Sequence, residues 1–310
     1  MEAALFLQEF EDRVPARSAR LYSYKAMKKA LVLGAGGPVG IAWESGLIAG
    51  MAEAGLDVSS ADFVLGTSAG SFVGAQLALG RTPAEIAAPD LTGPLPASGP
   101  VSDLPDLSML IGKILEAASG KRPAAEVMAE IGTMALAAPA ISEEEFIGKF
   151  SWALGDGTWP SKEFGCTAVD TADGSFRVWD RNAGIDLSRA VASSCAVPGM
   201  YPPISFEGRR YMDGGMRSGT NADLARDYDA VLIVMVRPKA IPSPIAEVFG
   251  ARFERELKAL SGRVEVIVPD EGSNDVMGMN LMDSSRRRPA AEAGLVQGRA
   301  EAARVAEIWK

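Results

Sequence analysis

Histidine is absent from all 310 residues of this chain, and this absence restricts the possible catalytic chemistry more than any other feature of its composition. A Ser-His-Asp triad, a Cys-His pair and a zinc site with histidine ligands are all excluded. A nucleophilic serine in this chain would need a carboxylate, a lysine or a group from a partner as its base.

Cysteine is nearly as rare. The two cysteines, Cys166 and Cys195, stand in unrelated segments, so their spacing predicts neither a disulfide framework nor a metal cluster. We therefore expect no metal and no organic cofactor. A reducing, cytoplasmic compartment is the default expectation for such a chain.

Long apolar runs and an excess of basic charge are also lacking. No run approaches the length of about 18 apolar residues that predicts a transmembrane helix, and charged residues stand where a secretory signal would be apolar. The net charge of −9 argues against a nucleic-acid partner. It also disfavours tight docking to an anionic membrane, whereas transient apolar contact with a lipid surface is compatible with it. The oligomeric state is left open.

The chain is rich in apolar segments of strand and helix length. Hydrophobic residues make up 47% of the sequence and aromatic residues only 7%, which is typical of helix-covered sheets. A helix between the first two predicted strands makes those strands parallel. We predict an α/β fold with three α/β/α layers and a mostly parallel central sheet. The predicted strands are 30–33, 62–65, 164–169, 175–179, 204–206, 210–212, 230–236 and 264–268, and the predicted helices include 41–54, 187–195 and 290–309.

The domain organisation is expected to be simple. Residues 1–26 are interpreted as an N-terminal extension, and residues 27–310 as one catalytic domain. Within that domain, prolines break residues 81–145 into loops around two amphipathic segments, 107–118 and 124–138. This region is either a helical cap that holds acyl chains or a set of ordinary core helices.

One short motif carries the strongest chemical signal. An apolar run with the character of a buried strand enters Gly66-Thr67-Ser68-Ala69-Gly70, and a helix of small residues follows. Such a turn exposes the serine Oγ, and Gly66 and Gly70 leave room for the tight turn. The start of the helix directs free N–H groups and a partial positive charge at the serine. This context favours Ser68 as a nucleophile over a surface serine in a glycine-rich turn.

Asp213 is the best candidate for the base of Ser68. It leaves a predicted strand into Gly214 and Gly215, which allow the backbone to fold closely around its carboxylate. An ordinary Asp-Gly turn is the alternative, and Asp170 and Asp173 are weaker candidates because the first hairpin explains them. A lone aspartate suits ester substrates, since it can take the hydroxyl proton and return it to the leaving alkoxide.

The glycine-rich loop of residues 34–40 is a candidate anion site. Glycines between a strand and a helix present successive N–H groups, which can stabilise an oxyanion. The loop also has features of a dinucleotide phosphate turn, with Glu53 near the position of a ribose-binding acid. The glycine spacing differs from the dinucleotide pattern, however, and that interpretation leaves the Gly-x-Ser-x-Gly motif unexplained.

Taken together, four ordered motifs over about residues 30–236 resemble those of the patatin-like phospholipases. The resemblance implies a Ser-Asp dyad without histidine that hydrolyses phospholipid or neutral-lipid esters through an acyl-serine intermediate. It also implies that Ser68 is the nucleophile, Asp213 the base, and Gly36 and Gly37 oxyanion donors. The four motifs are the glycine-rich loop, Gly66–Gly70, Ala192–Gly199 with Pro202-Pro203, and Asp213-Gly214-Gly215.

The first motif departs from the family pattern. Ala35 replaces a glycine, Val39 replaces a basic residue, and Pro38 has no N–H to donate. The expected oxyanion donors are therefore Gly36, Gly37, Val39 and Ala69. An acyltransferase and a catalytically inactive lipid-binding protein of the same fold are the alternative functions.

Overall fold

The computed structural model describes residues 27–94, 108–237 and 243–310. The proposed N-terminal extension, residues 1–26, lies outside the described residues, as do the first residues of the predicted segment 107–118 and the loop before it. None of the described helices is long and apolar enough to cross a membrane.

The described residues form a sheet of eight strands and ten α-helices, joined by short 3-10 turns. The strands are β1 Lys29–Leu33, β2 Phe63–Gly66, β3 Glu163–Asp170, β4 Phe176–Trp179, β5 Ile204–Phe206, β6 Arg209–Asp213, β7 Ala230–Val234 and β8 Arg263–Ile267. The helices are α1 Gly37–Glu53, α2 Ala69–Ala78, α3 Pro83–Leu91, α4 Ser108–Ala118, α5 Ala124–Ala137, α6 Glu143–Leu154, α7 Leu187–Ser194, α8 Ser243–Ala259, α9 Glu271–Met277 and α10 Arg287–Trp309.

Hydrogen bonds connect the strands along the path β5-β6-β3-β2-β1-β7-β8, and β4 also pairs with β3. The central strands β3, β2, β1, β7 and β8 are parallel to one another, because helical crossovers connect them. The two predicted hairpins supply the antiparallel pairs β3–β4 and β5–β6. The prediction of a mostly parallel central sheet is confirmed.

Helices cover both faces of this sheet. In β1, Leu31 and Leu33 face a large core that includes residues of α1, α2 and α10. Ala30 and Val32 face the opposite way, into a smaller core closed by Phe253 and other α8 residues. This alternation follows from the two-residue period of a strand. The three α/β/α layers predicted from the sequence are therefore present.

Helices α1 and α10 pack in parallel at very short range. A Cβ at Gly46 would overlap the Ala291 carbonyl, and a Cβ at Gly298 would overlap the Leu47 carbonyl. Gly50 and Gly294 make equivalent close approaches to the opposite helix. The four glycines let the two backbones touch, which fixes the position of α1 behind the glycine-rich loop.

The region 81–145 is more helical than the prolines suggest. Residues 83–91, predicted as a loop, form α3, because Pro83 occupies its first turn and Thr82 with Glu85 forms a capping box. Helices α4 and α5 match the two predicted amphipathic segments. They pack on the β3–β4 hairpin side of the sheet, where Leu110 and Ile131 contact Val169 and Met212.

Candidate active site

Ser68 occupies a strained turn between β2 and α2. Its φ of 52° and ψ of −117° are unusual for a residue with a side chain. A Cβ at Gly66 would overlap the Ser71 backbone, and a Cβ at Gly70 would overlap the Leu33 carbonyl. Both positions therefore require glycine for the turn to lie this close to β1.

The topology brings Asp213 to the end of β2. Ala168 of β3 pairs with Arg177 of β4 and also with Asp213 of β6, so β4 and β6 lie on opposite edges of β3. Cys166 likewise pairs with β4 on one side and with Gly66 of β2 on the other. Strands β2 and β6 thus share one edge of β3, and their carboxyl ends meet there. Ser68 follows one of these ends and Asp213 forms the other.

Asp213 is buried in an environment that favours its protonated form. Its side chain is 2% exposed. Burial raises the pKa of Asp213 to about 7, although the N–H of Gly215 and the hydroxyl of Ser68 act to lower it. Oδ1 accepts the Gly215 N–H at 2.7 Å, whereas Oδ2 has no hydrogen-bond partner within the described chain. A carboxyl group with this pKa can accept and return a proton near neutral pH.

The backbone of the Ser68 turn is tied to the end of α7. The N–H of Ser68 donates to Ser194 Oγ at 3.0 Å. The Ser68 carbonyl accepts the hydroxyl of Ser71 at 2.6 Å and the thiol of Cys195 at 3.2 Å. Ser194 and Cys195 belong to the motif 192–199, to which the sequence assigned no role. The structure shows that this motif supports the turn.

Asn221 connects the segments that follow β2 and β6 through hydrogen bonds. No sequence pattern indicates this residue. It is fully buried and has left-handed backbone angles, with φ of 53°. Its Nδ2 donates to Thr67 Oγ1 at 3.0 Å and to the Ser218 carbonyl at 2.8 Å. Thr67 and Thr167 are themselves 3.0 Å apart between their Oγ1 atoms. This network holds the residue before Ser68 close to the turn after Asp213.

The glycine-rich loop presents free donors to the same space. Within residues 27–94, 108–237 and 243–310, no acceptor binds the N–H groups of Gly36, Gly37 and Ala69. All three residues line one cavity with Ser68 and Asp213. The arrangement can therefore direct three N–H groups at a negative charge developing beside Ser68.

Val39 does not belong to this set of donors. Its N–H donates to the Leu281 carbonyl at 3.1 Å, its side chain is fully buried, and it does not line the cavity. The expectation that Val39 is an oxyanion donor is corrected for this reason.

The other acidic candidates lie elsewhere. Asp170 and Asp173 both pair with Arg209 at the β3–β4 hairpin. Glu53 is half-exposed at the end of α1 and pairs with Arg299 at 2.6 Å, so it is not placed to bind a ribose. No group of three or more potential metal ligands occurs in the parts of the chain that the structure describes.

The cavity has a volume of about 480 Å³ and is mainly apolar. Helix α6, which the sequence patterns did not predict, supplies one wall. Helices α3, α4 and α5 contribute no residue to the cavity among those described. The aromatic residues lining the cavity are Phe72, Phe146, Phe150, Trp152, Tyr201 and Phe249.

The sequence is similar to a known protein family. The family model "Patatin-like phospholipase" matches residues 31–226, which contain all four motifs. No curated protein matches the chain.

Among solved structures, VipD from Legionella pneumophila is similar, with 13% identity over 90% of this chain and 67% of that chain, and a TM-score of 0.43. The type III effector protein ExoU has 18% identity over 89% of this chain and 53% of its own, with a TM-score of 0.38. ExoU in complex with SpcU, from Pseudomonas aeruginosa, has 18% identity over 87% of this chain and 52% of its own, with a TM-score of 0.36. The chain spans about half the length of the ExoU chains.

Proposed function

Because the chain belongs to the patatin-like phospholipase family, as its four motifs predict, we propose that it hydrolyses carboxylic esters of lipids through an acyl intermediate on Ser68. The observation that carries this proposal is the position of Asp213. Its buried carboxyl lies beside the Ser68 hydroxyl, in a chain with no histidine. It is thus the base that the serine would otherwise lack.

In the first half of the reaction, Ser68 Oγ attacks the ester carbonyl carbon while Asp213 takes the hydroxyl proton. The Oδ2 atom suits this step because it has no competing partner. The N–H groups of Gly36, Gly37 and Ala69 stabilise the oxyanion of the tetrahedral intermediate. When the intermediate collapses, Asp213 returns the proton to the leaving alkoxide, and the acyl group stays on Ser68.

In the second half, water replaces the alcohol. Asp213 takes a proton from the water as it attacks the acyl carbonyl, and the same three N–H groups stabilise the second oxyanion. Collapse releases the fatty acid and returns the proton to Ser68. An ester suits a single aspartate better than an amide does, because an alkoxide leaves more readily than an amine anion.

The cavity supports a lipid substrate. Its aromatic wall can bury an acyl chain, since apolar surface removed from water stabilises the complex by about 25 cal/mol per Å². Trp152 is 62% exposed where it lines this cavity. A tryptophan in that position can also contact a lipid surface briefly during substrate entry.

The dyad is tested by Ser68→Ala and Asp213→Asn. Each should lower kcat for p-nitrophenyl esters by about three orders of magnitude, and the double variant should be little worse than either, because the two residues act as a unit. A fluorophosphonate should label the wild-type protein but not Ser68→Ala.

Asp173→Asn is the matched control, since it removes a carboxylate that lies outside the cavity, and it should retain wild-type activity. Near-normal turnover by Asp213→Asn would remove Asp213 as the base. A wild-type protein that resists the fluorophosphonate would indicate a binding protein that has lost turnover.

A further inference from the structure

A second cavity, of about 630 Å³, lies beside the catalytic cavity. Arg217, Arg252 and Arg255 line it, together with a single carboxylate, Glu247. We call it the arginine cavity. Met216 and Phe249 line both cavities, so the two share a wall. The helices α4 and α5 supply apolar residues on another side.

Arg217 is held rigidly in the arginine cavity. It follows Asp213 by one 3-10 turn, and its Nη1 and Nη2 donate to the Asp223 carboxylate at 2.9 and 2.7 Å. Its guanidinium also lies 4.2 Å from the centre of the Phe176 ring. Asp223 compensates the charge of Arg217, and the other two arginines of the cavity belong to α8.

Arg252 is also half-buried. Burial and the nearby charge of Arg217 lower the pKa of Arg252, and Glu256 one turn later opposes them. The Oε2 atom of Glu256 accepts the hydroxyl of Thr220 at 2.6 Å and the N–H of Ala222 at 3.0 Å, whereas Oε1 has no hydrogen-bond partner among the described residues. A guanidinium remains charged at physiological pH, so an anion in the cavity would offset the cost of burying it.

The catalytic cavity itself offers little for an anionic group. The family's basic residue is replaced by Val39, which is buried. Arg287 lines the catalytic cavity but is bound to Asp90 through two hydrogen bonds of 2.7 and 2.9 Å. Lys149 is exposed on α6 and therefore solvated. Among the described residues, Arg252 and Arg255 lie across the shared wall from this cavity.

We propose that the arginine cavity binds the phosphate group of the lipid whose ester is presented to Ser68, so that the preferred substrate is a phospholipid and not a neutral lipid. The inference rests on the function proposed above. The planar fork of arginine matches phosphate oxygens, and only a few bonds separate the phosphate of a glycerophospholipid from its ester carbonyls. The flexible Met216 side chain in the shared wall can adjust to the glycerol backbone.

A binding experiment tests this without requiring turnover. Ser68→Ala protein is titrated with dihexanoylphosphatidylglycerol and with dihexanoylglycerol in a calorimeter. In Ser68→Ala protein that also carries Arg252→Gln, binding of the phospholipid should be about tenfold weaker, and binding of the neutral lipid should be unchanged. Lys258→Gln is the matched control, because it removes a positive charge from the same helix outside the cavity, and it should change neither affinity.

Two results would overturn the proposal. One is an equal effect of Arg252→Gln on both lipids. The other is inorganic phosphate that binds as tightly as the phospholipid, which would assign the cavity to a free anion. Arg255→Gln, at an exposed position, repeats the test if Arg252→Gln lowers the melting temperature.

Turnover separates this proposal from the hydrolase proposal. In a protein with active Ser68, Arg252→Gln should lower the ratio of phospholipid to neutral-lipid kcat/KM about tenfold, mainly through KM. If Arg252→Gln hydrolyses both lipids and the ratio of their kcat/KM values is unchanged, the proposal that the arginine cavity binds phosphate is refuted. The hydrolase proposal is then unaffected. If neither lipid is hydrolysed and Ser68 is not labelled, the hydrolase proposal fails, and calorimetry alone then decides on the cavity.

Discussion

The two carboxylate oxygens of Asp213 have different surroundings, and this difference determines how the residue can act. Oδ1 is fixed by the Gly215 N–H, while Oδ2 has no partner in the described part of the chain. The fixed oxygen sets the orientation of the carboxyl group. The other oxygen is available for the proton of Ser68. Gly214 is required for this geometry, because a Cβ there would overlap Thr167.

The raised pKa of Asp213 predicts the pH dependence of activity. Only the ionised carboxylate can take the Ser68 proton, and burial places its pKa at about 7. We therefore expect kcat/KM for a p-nitrophenyl ester to increase as the pH rises through about 7 and to level off above it. A pH profile of the wild-type enzyme measures this, and a profile that is flat through neutrality would contradict it.

Substitution of Gly37 is the most direct test of the proposed oxyanion donors. Its φ is +59°, and a Cβ there would lie 2.8 Å from the Leu281 carbonyl. Gly37→Ala should displace the donors and lower kcat/KM by about 2–4 kcal/mol in transition-state stabilisation.

Gly55→Ala is the control for backbone strain alone, since Gly55 has φ of +83° but open space around it. That variant should lose stability and keep its activity. Wild-type activity of a folded Gly37→Ala enzyme would place the oxyanion site elsewhere.

At the scale of elements, the pairing of α1 with α10 connects the family-matched region to the rest of the chain. Helix α10 begins at Arg287, well after the matched residues 31–226, and yet it packs directly on the helix that starts in the glycine-rich loop. The close glycine contacts let the helix backbones approach without side chains between them. The C-terminal helix is therefore part of the same core as the candidate site.

Substitution at this helix contact should be costly. Gly298→Ala would force α1 and α10 apart, because its Cβ would overlap the Leu47 carbonyl. We expect a loss of about 1–3 kcal/mol in the free energy of unfolding, measured by denaturant titration.

Gly250→Ala, in α8, is the matched control, since nothing lies within 4 Å of its Cβ position. It should be neutral or stabilise slightly, because alanine is the better helix former. Equal effects of the two substitutions would show that the helix contact tolerates a side chain.

Helix α6 contributes an apolar wall to the catalytic cavity, and this wall can select acyl chains. Met109 of α4 is 65% exposed, whereas Trp152 of α6 is 62% exposed and lines the catalytic cavity. Trp152→Ala should weaken hydrolysis of long-chain esters, spare short-chain esters and leave the melting temperature nearly unchanged. A chain-length series of p-nitrophenyl esters measures this.

Met109→Ala removes a comparably exposed apolar side chain outside the cavity and should change neither property. A shift in chain-length preference with Met109→Ala alone would support the hypothesis that α4 belongs to a cap that holds acyl chains.

At the scale of the whole molecule, buried carboxyl groups link stability to pH. Glu44 of α1 is fully buried, and burial raises its pKa well above the usual value of 4.5, although a hydrogen bond with the Gly34 backbone acts to lower it. Glu44 and Asp213 therefore retain protons in the folded state that the unfolded chain releases. Their stabilising contribution is complete below the unfolded pKa and is lost as the pH rises through the folded one.

Glu44→Gln should accordingly raise the melting temperature relative to wild type at alkaline pH, and this advantage should shrink toward pH 4.5. Glu85→Gln is a control of opposite sign. The contacts of Glu85 with Thr82 lower its pKa, so its removal should cost stability above its unfolded pKa. An advantage of Glu44→Gln that does not vary with pH would contradict this linkage.

Local patterns in the sequence were sufficient for most of the sheet. All eight strands coincide with predicted apolar or alternating runs to within two residues at each end. Helix α6 was missed although Ser142 caps it and three glutamates occupy its first turn, a recognisable helix-start signal. Helices α8 and α9 were missed as well. The prolines near α3 predict a loop, but the structure has a helix there, because proline is tolerated in a first helical turn.

The sequence by itself determined the α/β class, the Gly-x-Ser-x-Gly turn and the absence of a histidine base, since each depends on residue type and short-range spacing. Only the tertiary structure decided which carboxylate meets Ser68, because β2 and β6 come together through their shared partner β3 and not through any local pattern. The hydrogen bond from buried Asn221 to Thr67 and the hydrogen bond from the Val39 N–H to Leu281 were likewise decided by the tertiary structure. A hydrogen bond between residues far apart in the chain leaves no periodic trace in the sequence, so its partners appear only when the strands and turns are in place.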